Sequence, residues 1–437
     1  MMTDTSISPP EFSVLVVGCG LSGLASALAL AQAGHRVTVF ERCAKLQEIG
    51  AGIQLSPNAT RLLQHWGVLE EVLKYADRPE AGTFRSYRGD VLSHSPPVTH
   101  PKLVCEAPYV VIHRADLLKA LLSGIERRGV EVEIKLGSSV SEIDFNKPSL
   151  RLSTGEVYEA DLILGADGQR SYCRSGMLGR EDPPFSPGDV VYRVSVPMKD
   201  VNENHPAWDL KEQSSVNFWM GQGGHVVSYL IQHDMLNLVL IYAEGETCEA
   251  MYGPQRADME EFRSKISGWD PILHRLLDVE GSVCTKWTLF QIQELNQWRH
   301  ESGRFTLIGD AAHAILPCLA QGAAQAFEDA GVLGAIFSQP LRPDQIPDAL
   351  RVFEEVRRPR ASHVRRRTLD QKAMFALADG PEQEERDKKL RSGADYRLFE
   401  RLWDYNAVQD GQEAWKRFLT AQTHSERSVD VCTRGGA

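Results

Sequence analysis

Apolar and polar positions near the start of the chain follow a strand, a helix and a second strand in turn. Phe12 to Val17 reads as a short buried strand, Leu21 to Gln32 as a helix rich in Ala and Leu, and Arg36 to Phe40 as the next strand, with Gly34 placed to stop the helix. This is one βαβ unit. Ser56 to Tyr75 is predicted helical with Pro57 near its N-terminus, Ala115 to Arg127 forms an amphipathic helix, and Val130 to Ile134 a strand. Residues 77–107 hold Pro, Gly and His without helical periodicity, so strands and loops are expected there.

The pattern changes after about residue 185. Val190 to Val196, Val216 to Met220, Val226 to Ile231 and Leu236 to Tyr242 are β-rich runs, and Gly221-Gln222-Gly223-Gly224 and His233-Asp234-Met235 supply turns between them. Short runs with such turns predict an antiparallel meander. Helical patterns return over 256–277, a strand is expected over 304–308, a helix from about 322 to 337, and mostly charged helix from Pro343 onward. With 437 residues the chain has room for a large α/β domain and a second one.

Composition narrows the partners. Lys plus Arg number 48 and Asp plus Glu 59, a net charge of −11 that offers no general attraction to nucleic acid or to an anionic membrane. The Arg357, Arg358, Arg360, Arg365, Arg366, Arg367 cluster lies beside Glu354 and Glu355, and is read as a solvated or interface-lining helix face. Arg88-Gly89-Asp90 is a cell-adhesion string too common by chance to count. The eight cysteines are scattered singly, without zinc spacing or a disulfide framework, so no metal is expected and a reduced setting fits. Met1 to Pro10 lacks the layout of a signal peptide, and glycines break the first apolar segment, so a cytoplasmic enzyme without a membrane span is expected.

Chemistry enters at Gly18-Cys19-Gly20-Leu21-Ser22-Gly23, between the first strand and helix. In this pattern Gly18 permits a tight turn, Gly20 lets a pyrophosphate approach the backbone, and Gly23 allows close packing of helix on strand. Phosphates then sit at the helix N-terminus. Glu41, followed by Arg42, ends the second strand, where a carboxylate can accept adenosine ribose hydroxyls; the plain alternative is a surface carboxylate. This motif leaves FAD and NAD both open. Gly309-Asp310-Ala311-Ala312-His313 follows the strand Phe305 to Ile308, and Gln321-Gly322-Ala323 opens a helix. Asp310 can receive a ribityl chain, while the Gly322-Ala323 backbone can approach the pyrimidine side of an isoalloxazine. Gly165-Ala166-Asp167-Gly168 is a third strand end, where Asp167 can serve a pyrophosphate region through its backbone and neighbours.

These elements, in this order, resemble the single-component FAD-dependent aromatic hydroxylases, the salicylate-hydroxylase-like enzymes and the fungal monooxygenases of phenolic polyketides. The resemblance extends through Glu48-Ile49-Gly50-Ala51-Gly52-Ile53, His113-Arg114-Ala115-Asp116-Leu117, Tyr192-Arg193, Trp287, Arg357-Arg358-Pro359-Arg360 and Asp379-Gly380-Pro381-Glu382-Gln383. It implies a Rossmann-like FAD-binding domain (1–78, 108–185, 286–342), an antiparallel β-sheet substrate domain (79–107, 186–285) and a C-terminal helical region (343–437). It implies that Glu41 holds the ribose, Arg114 lies over the FAD diphosphate, Gly52 lines the flavin, Asp310 binds the ribityl chain and Ala323 sits near the ring. Arg193 and Tyr229 match active-site positions of the polyketide-modifying relatives, and His225 resembles a polar contact in hydroxylases of heteroaromatic acids. Cys318 departs from the pattern, since relatives often carry an aromatic residue after this proline.

The residues support part of this independently. On a strand, His225 and Tyr229 share a face, about 13 Å apart. A charged Arg193 in a pocket would pair with a phenolate or carboxylate and keep the ring nucleophilic. The plainer readings are a half-buried sheet aromatic for Tyr229, a turn residue for His225, a structural hydrogen bond for His313 and seam packing for Trp287. The expected activity uses FAD, NADPH or NADH as a transient reductant and O2 to hydroxylate a small aromatic substrate, as a monomer or homodimer. Competing readings are a flavin-dependent halogenase, whose Trp-x-Trp signature is missing, an NAD dehydrogenase, and a flavin-binding redox sensor or scaffold.

Overall fold

The structure is a computed structural model that describes residues 11–46, 52–95, 107–231, 234–245, 250–393 and 402–434. Among these residues, five parallel strands form one sheet in the order Phe305–Leu307, Leu162–Gly165, Ser13–Val17, Arg36–Glu41, Val132–Leu136. The central strand reads Ser-Val-Leu-Val-Val and is buried from Val14 onward, as expected of a parallel sheet covered on both faces. The helix Leu21–Gln32 packs closely on the helix Gly322–Phe337 because small residues meet there: a Cβ on Gly334 would lie 3.0 Å from that of Ala29. The chain leaves the central strand to one side and returns to the other. That reversal opens a crevice at the carboxyl ends of the strands, where Gly18, Gly165 and Gly309 all lie.

A second sheet has eight strands, ordered Gln255–Arg256, Val283–Thr288, Asp189–Pro197, Met235–Ala243, Gly224–Ile231, Ser215–Gly221, Ala81–Ser86, Val91–Ser95. It is antiparallel except for one junction, where Ser215–Gly221 runs parallel to Ala81–Ser86, a strand delivered from much earlier in the chain. Period-two alternation separates its faces. Tyr192, Val194, Trp219, Val226 and Leu240 point to an apolar core with Phe262 and Leu273 of the helices Met259–Lys265 and Pro271–Leu277. Arg193, Tyr229 and His225 belong to the opposite face, which meets the parallel-sheet half of the molecule. Val283–Thr288 pairs wholly within this sheet and crosses residue 286, where the first domain was expected to resume.

Two elements differ from the sequence expectation. Ser56 to Tyr75 is not one helix: Pro57–His65 and Leu69–Leu73 are separated at Gly67, whose φ of +65° interrupts the helix. A three-stranded meander, Val140–Asp144, Ser149–Leu152 and Val157–Glu159, had no clear apolar pattern because only Leu150 and Leu152 among its residues are buried. A small sheet of Gly52–Leu55, Val110–His113 and Ala76–Asp77 bridges the two halves.

Of the two readings of the arginine cluster, a solvated or an interface-lining helix face, the solvated one fails at Arg357. Arg357, on the helix Ile346–Phe375, is fully buried between Glu328 and Asp329, at 2.6 and 2.8 Å. Arg360 adds a bond to Glu328 at 3.0 Å. Burying two carboxylates is tolerable only because each charge is paired and hydrogen-bonded. Asp329 also accepts from the Gly309 amide at 2.8 Å and lies 2.6 Å from His313 Nε2, so His313 has the structural role expected of it. The Asn58 amide donates to Glu328 at 2.7 Å and to Gln321 at 3.0 Å, and Gln321 donates to Ser56 at 2.8 Å. Arg357→Met should cost about 3–5 kcal/mol, the penalty of leaving a buried charge unpaired. A denaturant midpoint unchanged from the parent would contradict this account.

Candidate active site

The first loop closes by backbone contact. Gly18 has φ of +106° and its amide donates to the Phe40 carbonyl at 2.8 Å. A Cβ there would lie 2.5 Å from the Ala166 carbonyl oxygen, so the end of the first strand fits against the 165–168 turn only as glycine. Gly23 packs against the Gly18 carbonyl in the same way. Gly20 is different: nothing lies within 4 Å of a Cβ built on it, and it caps the N-terminus of Leu21–Gln32. Gly322, first residue of Gly322–Phe337, has the same open space. Two helices thus begin at glycines without side-chain crowding, and such N-termini, with free N–H groups and a positive dipole end, suit phosphate at one and negative charge on a flavin ring at the other.

Glu41 bridges the loop, accepting from the Cys19 amide at 3.1 Å and the Cys43 amide at 2.9 Å. A carboxylate has further lone pairs, so this fixes its orientation and leaves it able to accept ribose hydroxyls. Arg42, next in the turn, is exposed. Asp167 spends its carboxylate on the following helix, Tyr172–Leu178, accepting from the Ser171 hydroxyl and from the Cys173 amide at 3.0 Å. Only its backbone faces the glycine loop. Asp310 is exposed and makes no hydrogen bond or ion pair to another described residue, whereas Gly309 is buried. Ala323 follows Gly322, and the preceding Ala320 holds φ of +52°, a left-handed conformation unusual for alanine, in the turn after Pro317–Leu319. Cys318 is buried beside Leu316, and burial pushes its thiol up to about 12, making it a packing residue.

Opposite these loops stands the polar face of the eight-stranded sheet. The Arg193 guanidinium lies over the Trp287 ring at 4.8 Å, so Trp287 has a partner as well as a place at the seam. Burial holds Arg193 below its usual value, with Tyr229 pulling upward and Arg114 repelling; an arginine stays charged under such a shift. Arg114 is exposed at the start of the helix Arg114–Arg128. Burial pushes the Tyr229 hydroxyl up to about 12, against the pull of Arg193, Gln54 and Asn237. A Cβ on Gly52 would lie 2.9 Å from that hydroxyl, so the strand Gly52–Leu55 and Tyr229 are in direct contact. Residues 47–51, part of the motif before Gly52, lie outside the described residues.

Gln54 and Tyr109 join this group without having been anticipated from the sequence. The Tyr109 hydroxyl donates to the Gln54 amide oxygen, and Gln54 stands close enough to the Tyr229 hydroxyl to pull it downward. His225 is on the Tyr229 face, buried edge-on against Phe375 at 4.9 Å, and burial with the nearby Lys372 lowers it to about 4. It is a neutral group at the Phe375 end of the face, away from the Gly52 contact. Among the described residues no helix is long and apolar enough to cross a membrane, and no group of three or more His, Cys, Asp or Glu could hold a metal ion.

The residues present therefore fit a flavin dinucleotide, with loops for phosphates, an open helix start for the ring and a basic, phenolic wall across from it. Residues 11–368 match the family described as FAD binding domain. The chain is 38% identical over 388 residues to the FAD-dependent monooxygenase OpS4 of Beauveria bassiana, covering 86% of this chain and 88% of that protein. It is 34% identical to a 3-amino-4-hydroxybenzoate 2-monooxygenase of Streptomyces cremeus, covering 88% and 93% of the two chains. The structure of a salicylate hydroxylase substrate complex superposes with a TM-score of 0.77 at 25% identity, over 94% of this chain and 98% of the other. The chain belongs to the FAD binding domain family, among the FAD-dependent monooxygenases.

Proposed function

We propose that this protein hydroxylates a phenolic or aromatic-acid substrate, taking electrons from NADPH or NADH and one oxygen atom from O2. The observation that carries the reading is the placement of Arg193: a charged group with a buried Nε that has no acceptor, stacked on Trp287 and close to Tyr229, which touches the strand of Gly52. When bound, FAD accepts the reductant's electrons and delivers them to O2 to supply the electrophilic oxygen. The chain's own work is to bind and orient. Gly18, Gly20, Gly23 and Glu41 would hold the adenosine and pyrophosphate end, with Arg42 and Arg114 adding positive charge. Gly309, Asp310, Gly322 and Ala323 would hold the ribityl and ring end.

Arg193 would bind the ionised oxygen of the substrate, since a guanidinium favours the anion and the anion makes the ring more nucleophilic. Tyr229 stays a neutral phenol and donates or accepts a hydrogen bond beside it. His225 would line the far end of the cavity. Support from the relatives is chemical: 3-amino-4-hydroxybenzoate, 6-hydroxynicotinate and salicylate each name a ring that carries both a hydroxyl and a carboxyl group. Decarboxylation or dearomatisation could accompany oxygen transfer on such rings. No separate nucleotide-binding fold is needed for a reductant that docks transiently.

The purified protein should be yellow, and phenolic acids should stimulate its oxidation of NADPH or NADH with a hydroxylated product. Stimulation that yields peroxide alone would favour the sensor reading. Arg193→Ala should keep its flavin but lose product formation by roughly 10²- to 10³-fold, the scale of removing one preorganised charge-stabilising group; a colourless variant or undiminished product would contradict the role. With His225 held near about 4 and Tyr229 near about 12, neither changes charge from pH 6 to 10. Substrate affinity should therefore rise with pH as the substrate's own hydroxyl ionises against a constantly positive Arg193, then level off. Tyr229→Phe should leave that inflection in place, and a shifted inflection would show that Tyr229 titrates.

A further inference from the structure

A buried N–H group without an acceptor costs about 1–3 kcal/mol. The polar face of the eight-stranded sheet holds two such donors, Arg193 Nε and Asn237 Nδ2. Asn237 is 2% exposed. In the ladder it stands directly across from Tyr229 on one side and Ser195 on the other, and Arg193 pairs with Val239, two residues further along the same strand. Arg193 and Asn237 are therefore diagonal neighbours on one face. A Cβ on Gly52 would lie 3.1 Å from the Asn237 amide carbon, so this amide stands at the seam where the sheet meets the strand Gly52–Leu55.

Apolar packing alone does not call for an asparagine here. It sits in the run Met-Leu-Asn-Leu-Val-Leu-Ile-Tyr-Ala, a strand that asparagine disfavours, and its neighbours on the same face, Val239 and Ile241, are apolar. Gln54 and Tyr109 nearby are bonded to each other. Asn237 lowers the Tyr229 hydroxyl through a hydrogen-bonding approach, but that approach falls short of hydrogen-bond geometry and Nδ2 has no acceptor that meets it. A polar residue kept at a cost, with its donor unspent beside the strand that would line the flavin, implies an acceptor that arrives with the ligand.

We propose that Asn237 is a specificity-determining residue: its Nδ2 donates to a neutral acceptor, a carbonyl or ring heteroatom, carried by the substrate in addition to the ionised oxygen held by Arg193. The inference rests on the proposed role of Arg193 as the anion-binding group. The division of labour follows from charge. The guanidinium takes the anion, and the uncharged amide, which gains less from a full negative charge, takes a neutral partner. A site built to bond a polar group rejects analogues that lack it, because its own donor is then left buried and unpaired.

The test uses the flavin-loaded full chain and two probes, resorcinol and 2,4-dihydroxybenzaldehyde, which differ by one carbonyl. Binding is titrated through the change in flavin absorbance for the parent, Asn237→Leu and Asn237→Val. The parent should bind the aldehyde more tightly. Each variant should lose about tenfold of its affinity for the aldehyde, while affinity for resorcinol stays within about twofold, as expected for loss of one hydrogen bond to a neutral acceptor. Equal losses for both probes, or no loss for the aldehyde in a variant that retains its flavin, would overturn the role of Asn237 and leave the hydroxylase reading intact. Failure of the parent to bind either phenol at any pH would remove the phenol-binding reading itself, and the inference with it.

Discussion

Arg357 pinned between Glu328 and Asp329 is the constraint on which the arrangement of the site depends. A buried ion cluster of this kind contributes little net stability over an apolar core, because desolvation offsets most of the Coulomb gain. What it does supply here is position. Asp329 reaches the Gly309 amide at the end of one strand, while Glu328 reaches Asn58 and through it Gln321 and Ser56. One guanidinium from the C-terminal helix thereby sets the spacing between the turn at Gly309, the helix start at Gly322 and the segment that follows Gly52–Leu55. All three belong to the site proposed for the flavin ring.

The eight-stranded sheet solves a different problem, that of keeping a polar face beside a core. Tyr192 and Arg193 are consecutive, and the strand sends one to each side. Tyr192 is buried in the apolar core, with its hydroxyl 2.8 Å from Glu244 and 2.7 Å from Glu261. Arg193 points to the opposite face, over the Trp287 ring. A register slip of one residue would exchange them and bury the guanidinium among Phe262 and Leu273. The extensive pairing of Asp189–Pro197 with strands on both sides makes such a slip costly.

What could be read from the sequence follows the range of the interactions concerned. The helix Leu21–Gln32 was located to the residue, and the glycine loop with it, because a tight turn, a helix start and strand periodicity are all local. His225 and Tyr229 could be assigned to one face for the same reason, whereas Arg193 joins them only through the register of neighbouring strands. Gln54, Tyr109 and Asn237 could not be grouped, since they come from three separate strands or loops and meet only through the tertiary fold. Asn237 left a trace all the same, as a single amide within a run of Leu, Val and Ile. The burial of Arg357 stays open, as one of two readings, when its cluster is judged by the charges around it. The complementary signal was the Glu328-Asp329 pair inside the otherwise apolar helix Gly322–Phe337, where two carboxylates require a cationic partner.

The contact between Gly52 and Tyr229 joins two segments far apart in the chain, where the small bridging sheet meets the eight-stranded one. Lineages that remodel the sheet to admit a new ring are not free to vary that tyrosine independently of the glycine it touches, since any bulk gained by one must be surrendered by the other. Coinheritance of the pair is thus built into the architecture, and a chimera that grafts the sheet of one homologue onto the nucleotide-binding half of another inherits a steric mismatch wherever its parents differ at these two positions.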